Sequence, residues 1–172
     1  MIEIPIYQVD AFARRAFAGN PAAICPLESW LPEATLAAIA VENNLSETAY
    51  FVPGESPLRL RWFTPAAEVD LCGHATLAAA HVWFAHLRPN AEEVRFVTRS
   101  GELIVRRDGE RLSMDFPALP AEPADVPDGA AEALGARPIA WLTSMDHVAV
   151  LESEADVRGV RPDFRRVAEL GA

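Results

Sequence analysis

Glu68-Val69-Asp70-Leu71-Cys72-Gly73-His74-Ala75-Thr76-Leu77-Ala78-Ala79-Ala80-His81-Val82-Trp83-Phe84-Ala85-His86 is the stretch on which the fold turns. From residue 74 to about residue 86 the side chains are nearly all apolar, and Ala75, Ala78, Ala79 and Ala80 keep them small. A helix that is apolar around most of its girth lies inside a core rather than on its surface. His81 and His86 interrupt the run, which is too short to cross a bilayer, so no membrane span is expected.

Strand patterns flank that helix on both sides. Upstream, residues 4–12 read as a strand, Gly19-Asn20-Pro21 as a turn and residues 22–27 as a second strand. Pro32 opens a helix at the one position where proline costs least, with Leu36, Ile39 and Ala40 at helical spacing and Asn43-Asn44 at its exit. Residues 48–52 and 58–64 are strands. In the second, Leu58, Leu60 and Trp62 alternate with Arg59 and Arg61, giving one buried face and one wet face. Downstream come three more strands, residues 93–98, 102–107 and 111–116. Ser100-Gly101 and Asp108-Gly109 join them, and the second of these is a strong hairpin signal. Residues 1–117 are therefore expected to form an α+β domain, a mixed but largely antiparallel sheet rolled around a central helix.

Prolines at 117, 120, 123 and 127 mark residues 118–127 as a semi-rigid linker. Beyond it the sequence predicts a helix over 129–134, strands over 139–142 and 147–151, and a helix over 162–170. Residues 128–172 are too few to bury a stable core alone, and are expected to begin a second, incomplete domain.

Composition narrows the function. Of the 172 residues, 51% are hydrophobic and 23% charged, which fits a folded chain and not a disordered one. The net charge of −10 and the scattered arginines argue against a nucleic-acid partner. Cys25 and Cys72 make no disulfide framework, and Met1-Ile2-Glu3-Ile4-Pro5 has no basic segment ahead of an apolar one. A reducing cytoplasm is the expected compartment.

Two segments carry chemistry. In Asn44-Leu45-Ser46-Glu47-Thr48, Glu47 stands where a helix hands over to a strand. A carboxylate there can face a cleft and shuttle protons, although an isolated acid is more commonly found in solvent. In Asp70-Leu71-Cys72-Gly73-His74, Gly73 permits close backbone approach and the unpaired amides of the helix start form a natural carboxylate or oxyanion site. The helix dipole would favour a thiolate at Cys72, and His74 could bind or protonate a substrate. A buried inert cysteine and a core histidine fit the pattern equally well. No His-x-x-x-His, Cys-x-x-Cys, phosphate loop or Gly-x-Ser-x-Gly motif occurs, so no metal, nucleotide cofactor or acyl transfer is expected.

Five motifs in order resemble the PhzF-like family of phenazine-biosynthesis isomerases. They are residues 9–12 (Val-Asp-Ala-Phe), 17–23 (Phe-Ala-Gly-Asn-Pro-Ala-Ala), 44–48 (Asn-Leu-Ser-Glu-Thr), 61–65 (Arg-Trp-Phe-Thr-Pro) and 70–77 (Asp-Leu-Cys-Gly-His-Ala-Thr-Leu). Residues 148–151 and 161–164 are similar to the start of that family's second domain. The resemblance implies the diaminopimelate-epimerase-like fold, two α+β rolls with the site in the cleft between them. It implies proton transfer on a small carboxylated substrate without cofactor, as in isomerisation of a dihydro-hydroxyanthranilate, by a protein that is commonly a homodimer. Glu47 would be the general acid/base, and Gly73, His74 and Asp70 would bind substrate. Cys72 stands where related epimerases and racemases place a catalytic cysteine, which makes a cysteine-based epimerase the alternative. The family's Asp-Pro-Val-Thr-Gly-like loop has no counterpart before Ala172, so a truncated chain is expected, and an inactive domain that only binds or dimerises is the third alternative.

Overall fold

Strands β1 (Tyr7–Ala11) and β2 (Asn20–Pro26) pair antiparallel with Val9 opposite Ala22. The loop between them closes so tightly at Gly19 that a Cβ there would collide with the Ala11 carbonyl oxygen. Helix α1 (Glu33–Asn43) follows Pro32 and stops at Asn44, which is left-handed at φ 50° and donates its N–H to the Ala40 carbonyl. Asparagine tolerates that conformation better than most residues, so the stop is written locally. The chain returns as β3 (Glu47–Phe51), parallel to β2, and β4 (Leu60–Phe63) and β5 (Glu68–Val69) add antiparallel neighbours. The five strands lie in chain order in one sheet.

Helix α2 (Gly73–Val82) comes next and runs on into a π-helical turn, Trp83–Leu87. The sequence predicts one helix to about His86; the last turn is instead widened. Arg107 ties off this end by donating to the carbonyls of Phe84, Pro89 and Ala91, and His86 stacks on Tyr7 with ring centroids 4.6 Å apart. Strands β6 (Glu93–Thr98), β7 (Gly101–Asp108) and β8 (Arg111–Asp115) form an antiparallel meander. A bridge from Arg59 to Val97 joins its edge to the segment entering β4.

Both sheets close on α2. Its residues Ala75, Ala78, Ala79, Ala80 and Val82 share one buried cluster with Ile24, Phe51 and Trp62 of the first sheet and Phe96, Leu103 and Val105 of the meander. Small side chains on the helix are what let two layers of large ones approach it. A second cluster holds α1 to the outer face of the first sheet through Leu36, Ala40, Cys25, Tyr50 and Phe63, with the Tyr50 hydroxyl donating to the Leu36 carbonyl at 2.8 Å.

The computed structural model describes residues 3–170, and the chain divides after Phe116 into two compact units. Residues 1, 2, 171 and 172 of the two anticipated domains lie outside the described residues. The second unit contains β9 (Glu122–Ala124), α3 (Ala130–Leu134), β10 (Ala140–Thr143), β11 (His147–Val150), α4 (Glu154–Gly159) and α5 (Phe164–Glu169), with the strands antiparallel in the order β11-β10-β9. Part of the proline-rich stretch is thus an edge strand, a place where Pro123 is tolerated. Helix α4 was not anticipated from the pattern; Ser153 caps it, its hydroxyl accepting from the Asp156 N–H. Among the described residues, the buried apolar side chains of this unit are Ala130, Ala133 and Trp141.

Candidate active site

Glu47 is placed by the αL stop at Asn44, which gives the chain two residues to turn before β3 begins. Asn43 donates to the Thr48 hydroxyl at 3.1 Å, and the Ser46 hydroxyl donates to Asn20 at 3.3 Å, fastening this corner to β2. The residues after Glu47 are all buried, so its side chain leaves the sheet at the rim of the core; only 17% of it is exposed.

Cys72 and His74 are placed by the start of α2. Cys72 is extended and Gly73 is the first helical residue. His74 then bends back so that its two ring nitrogens meet different partners. Nδ1 lies 3.4 Å from Cys72 Sγ, and Nε2 lies 3.1 Å from Glu47 Oε2. The second distance is that of an ion pair, but the oxygen is out of line with the ring N–H. Both buried atoms are therefore left without a hydrogen bond. Buried polar groups are nearly always satisfied, and this facing pair leaves a donor and an acceptor for a water or a polar ligand to bridge.

The thiol does not behave as the helix dipole alone would have it. Burial pushes the Cys72 pKa from its ordinary 9.0 to about 11, and the nearby Glu47 carboxylate adds to the rise. The backbone N–H groups of Ala75 and His74 pull the other way and are outweighed; Cys72 makes no capping hydrogen bond to them. Desolvation wins, so Cys72 is a neutral thiol at neutral pH. The first-turn amides of α2 have no side-chain cap, although those of Ala75 and His74 lie near enough to the thiol to favour its ionised form.

The structure thus brings Glu47, Cys72 and His74 together, with Gly73 between the last two in the chain. Asp70 does not join them. It is largely exposed, with Arg99 Nη1 3.4 Å from its carboxylate and the Ser100 hydroxyl donating to its carbonyl. Gly73 has room to spare, since a Cβ there would meet the Phe116 ring at 3.6 Å and Met114 at 3.9 Å, ordinary contact distances. Residue pattern missed Glu68, which is 8% exposed and held by both nitrogens of one Arg61 face at 2.7 Å and by Arg99. This buried carboxylate anchors the chain just before it enters α2. Its only trace in sequence is Arg61 on the wet face of β4. Spacing also missed that Glu47, 25 residues before Cys72, completes a group of three metal-competent side chains.

The sequence profile of the family described as phenazine biosynthesis-like protein matches residues 9–171. An uncharacterized isomerase of Pseudomonas aeruginosa is 53% identical over 169 residues, which are 98% of this chain and 65% of that protein. The chain therefore spans a little under two thirds of that relative's length. A crystal structure of a phenazine biosynthesis protein of the PhzF family from Enterococcus faecalis matches with a TM-score of 0.87 at 44% identity, over 95% of this chain and 63% of that one. A structure described as a predicted epimerase from Pseudomonas aeruginosa matches with a TM-score of 0.71 at 26% identity, over 99% of this chain and 68% of that one. The mixed α+β architecture is diaminopimelate-epimerase-like.

Proposed function

Because the chain belongs to the phenazine biosynthesis-like protein family, we propose that it carries one wall of an isomerase site in which Glu47 moves a proton on a small carboxylated substrate. The observation behind this is the unsatisfied pair, Glu47 Oε2 and His74 Nε2, buried 3.1 Å apart. The Glu47 carboxylate takes a proton from a substrate carbon, the electron pair is left delocalised in the substrate, and the carboxylic acid so formed returns the proton at another carbon. His74 presents Nε2 to the substrate, and the uncapped amides at the start of α2 receive its carboxylate. The scheme uses no organic cofactor and no metal. With it go a homodimeric assembly and a cytoplasmic setting. Among the described residues no helix is long and apolar enough to cross a membrane.

A cysteine-based epimerase is the second reading, and the state of Cys72 counts against it. With its pKa at about 11, roughly one thiol in ten thousand is ionised at pH 7. Deuterium uptake from D2O into a dihydro-hydroxyanthranilate, followed by proton NMR, separates the two. The expected result is uptake that Glu47→Gln abolishes and Cys72→Ser retains. Retention in Glu47→Gln with loss in Cys72→Ser would hand the role to the thiol. No uptake into that compound or other small unsaturated carboxylates would leave a domain that only binds or dimerises.

A further inference from the structure

Glu47, Cys72 and His74 suit a second chemistry. One ligand atom from each lies within 4.8 Å of the others, and the three are a carboxylate oxygen, a sulfur and an imidazole nitrogen. That is a donor set matched to zinc, which takes thiolate, imidazole and carboxylate at about 2.0–2.3 Å and arranges them tetrahedrally. Bonds of that length put neighbouring ligand atoms about 3.3–3.8 Å apart. The Sγ–Nδ1 distance of 3.4 Å already equals such an edge. The carboxylate lies against Nε2, so it has to swing toward the Nδ1 side to complete the set.

Burial separates this group from the surface acids of a chain with net charge −10. The His74 side chain is 10% exposed and the Glu47 side chain 17%, and each has a buried polar atom with no hydrogen bond. An ion held through Nδ1 would satisfy the Glu47 oxygen and leave Nε2 free to donate. We propose that Glu47, Cys72 and His74 form a Zn2+ site with a fourth position left to solvent, and that an ion bound there blocks proton transfer by capturing Glu47. On binding, the Cys72 S–H bond breaks, its electron pair forms the S–Zn bond, and the proton leaves to solvent. The blocking half rests on the Glu47 reading above; the binding half does not.

Cobalt(II) stands in for zinc and reports its ligands in the absorption spectrum. Titration of the purified protein with Co2+ should saturate at one ion per chain, with a thiolate-to-cobalt charge-transfer band in the near ultraviolet that added Zn2+ removes. Cys72→Ser should lose the band although Cys25 remains. Glu47→Gln and His74→Gln should weaken cobalt binding at least about tenfold. Circular dichroism checks that each variant is folded, and if Cys72→Ser is not, the other two decide the matter. The proposal is overturned if the wild-type protein gives no thiolate band, if the band survives Cys72→Ser, or if Glu47→Gln and His74→Gln bind cobalt as tightly as wild type. Saturable thiolate-bound cobalt, together with no exchange activity in the metal-free protein, would sink the isomerase reading and leave the metal site standing.

Discussion

His74 faces two ways at once, with Nε2 3.1 Å from Glu47 Oε2 and Nδ1 3.4 Å from Cys72 Sγ. A helix start and the first residue of a strand 27 positions upstream thereby share one side chain. An unsatisfied buried polar atom costs about 1–3 kcal/mol, and the Glu47–His74 face carries two. A ligand with a donor and an acceptor in line with them recovers that cost, which favours a polar ligand there.

The two residues should therefore differ in what their loss does. Glu47→Gln removes the proposed proton carrier and should lower the exchange rate by about 10²–10⁴-fold. His74→Gln keeps a donor but misplaces it, and should lower the rate less, by about tenfold or more. Initial rates of deuterium uptake for the two variants check this. The reverse order would make His74 the shuttle.

Cys72 should be a slow thiol. Its pKa is raised to about 11 by burial, and that of Cys25, which is fully buried, to about 12. The sign is that of an acid held protonated, so the reactive thiolate is scarce at pH 7 and grows about tenfold per pH unit until the pKa is reached. Alkylation by iodoacetamide, followed by mass spectrometry on the folded protein, should leave both cysteines unmodified at pH 7 over a time that labels a free thiol fully. Labelling of Cys72 should rise steeply between pH 8 and 10, by about a hundredfold. A rate independent of pH across that range would mean an ionised thiol and revive the cysteine mechanism.

Much of this architecture was legible because local signals and tertiary demands agree. The apolar girth of α2, the Arg59–Arg61 alternation and the Asp108-Gly109 turn each had one structural solution, and the anticipated strands form within a few residues of their expected limits, whereas the short β5 and β9 had no pattern of their own. The site was legible only as an ordered set of motifs. Nothing near Glu47 in sequence shows that its carboxylate meets His74, because that contact exists only once β3 lies beside β2 and α2 is buried beneath them. The sequence leaves the state of Cys72 open for a related reason. Its position at a helix start is local, whereas its desolvation comes from the whole core. The π-turn after Val82 has no counterpart in residue pattern, since it depends on Arg107 reaching back from β7.

Glu68 should matter more than its lack of a motif suggests. Its carboxylate is 8% exposed and is met by Arg61 and Arg99, of which Arg99 is about half exposed. Breaking a fully buried pair costs about 3–5 kcal/mol, and partial solvent access to the arginines brings the expected loss for Glu68→Ala to about 2 kcal/mol. Arg59→Ala breaks an exposed pair with Glu55 and should cost less than about 1 kcal/mol. Urea unfolding of the two variants tests the ranking, and equal losses would mean that Glu68 is no anchor.

The small face of α2 should tolerate no growth. Ala79 is fully buried in the cluster that also contains Ile24, Phe51 and Phe96, so three added carbons have no void to enter. Overpacking of a filled core costs about 1–3 kcal/mol, and Ala79→Leu should reach the upper part of that range because both sheets would have to move. Val41 on α1 is 55% exposed, and Val41→Ala should change stability by no more than about 0.5 kcal/mol. A fall in the urea midpoint for Ala79→Leu, with an unchanged slope, is the expected outcome. A stable Ala79→Leu protein would mean that the sheets do not close on the helix, and the burial that shapes the Glu47–His74 site would need another source.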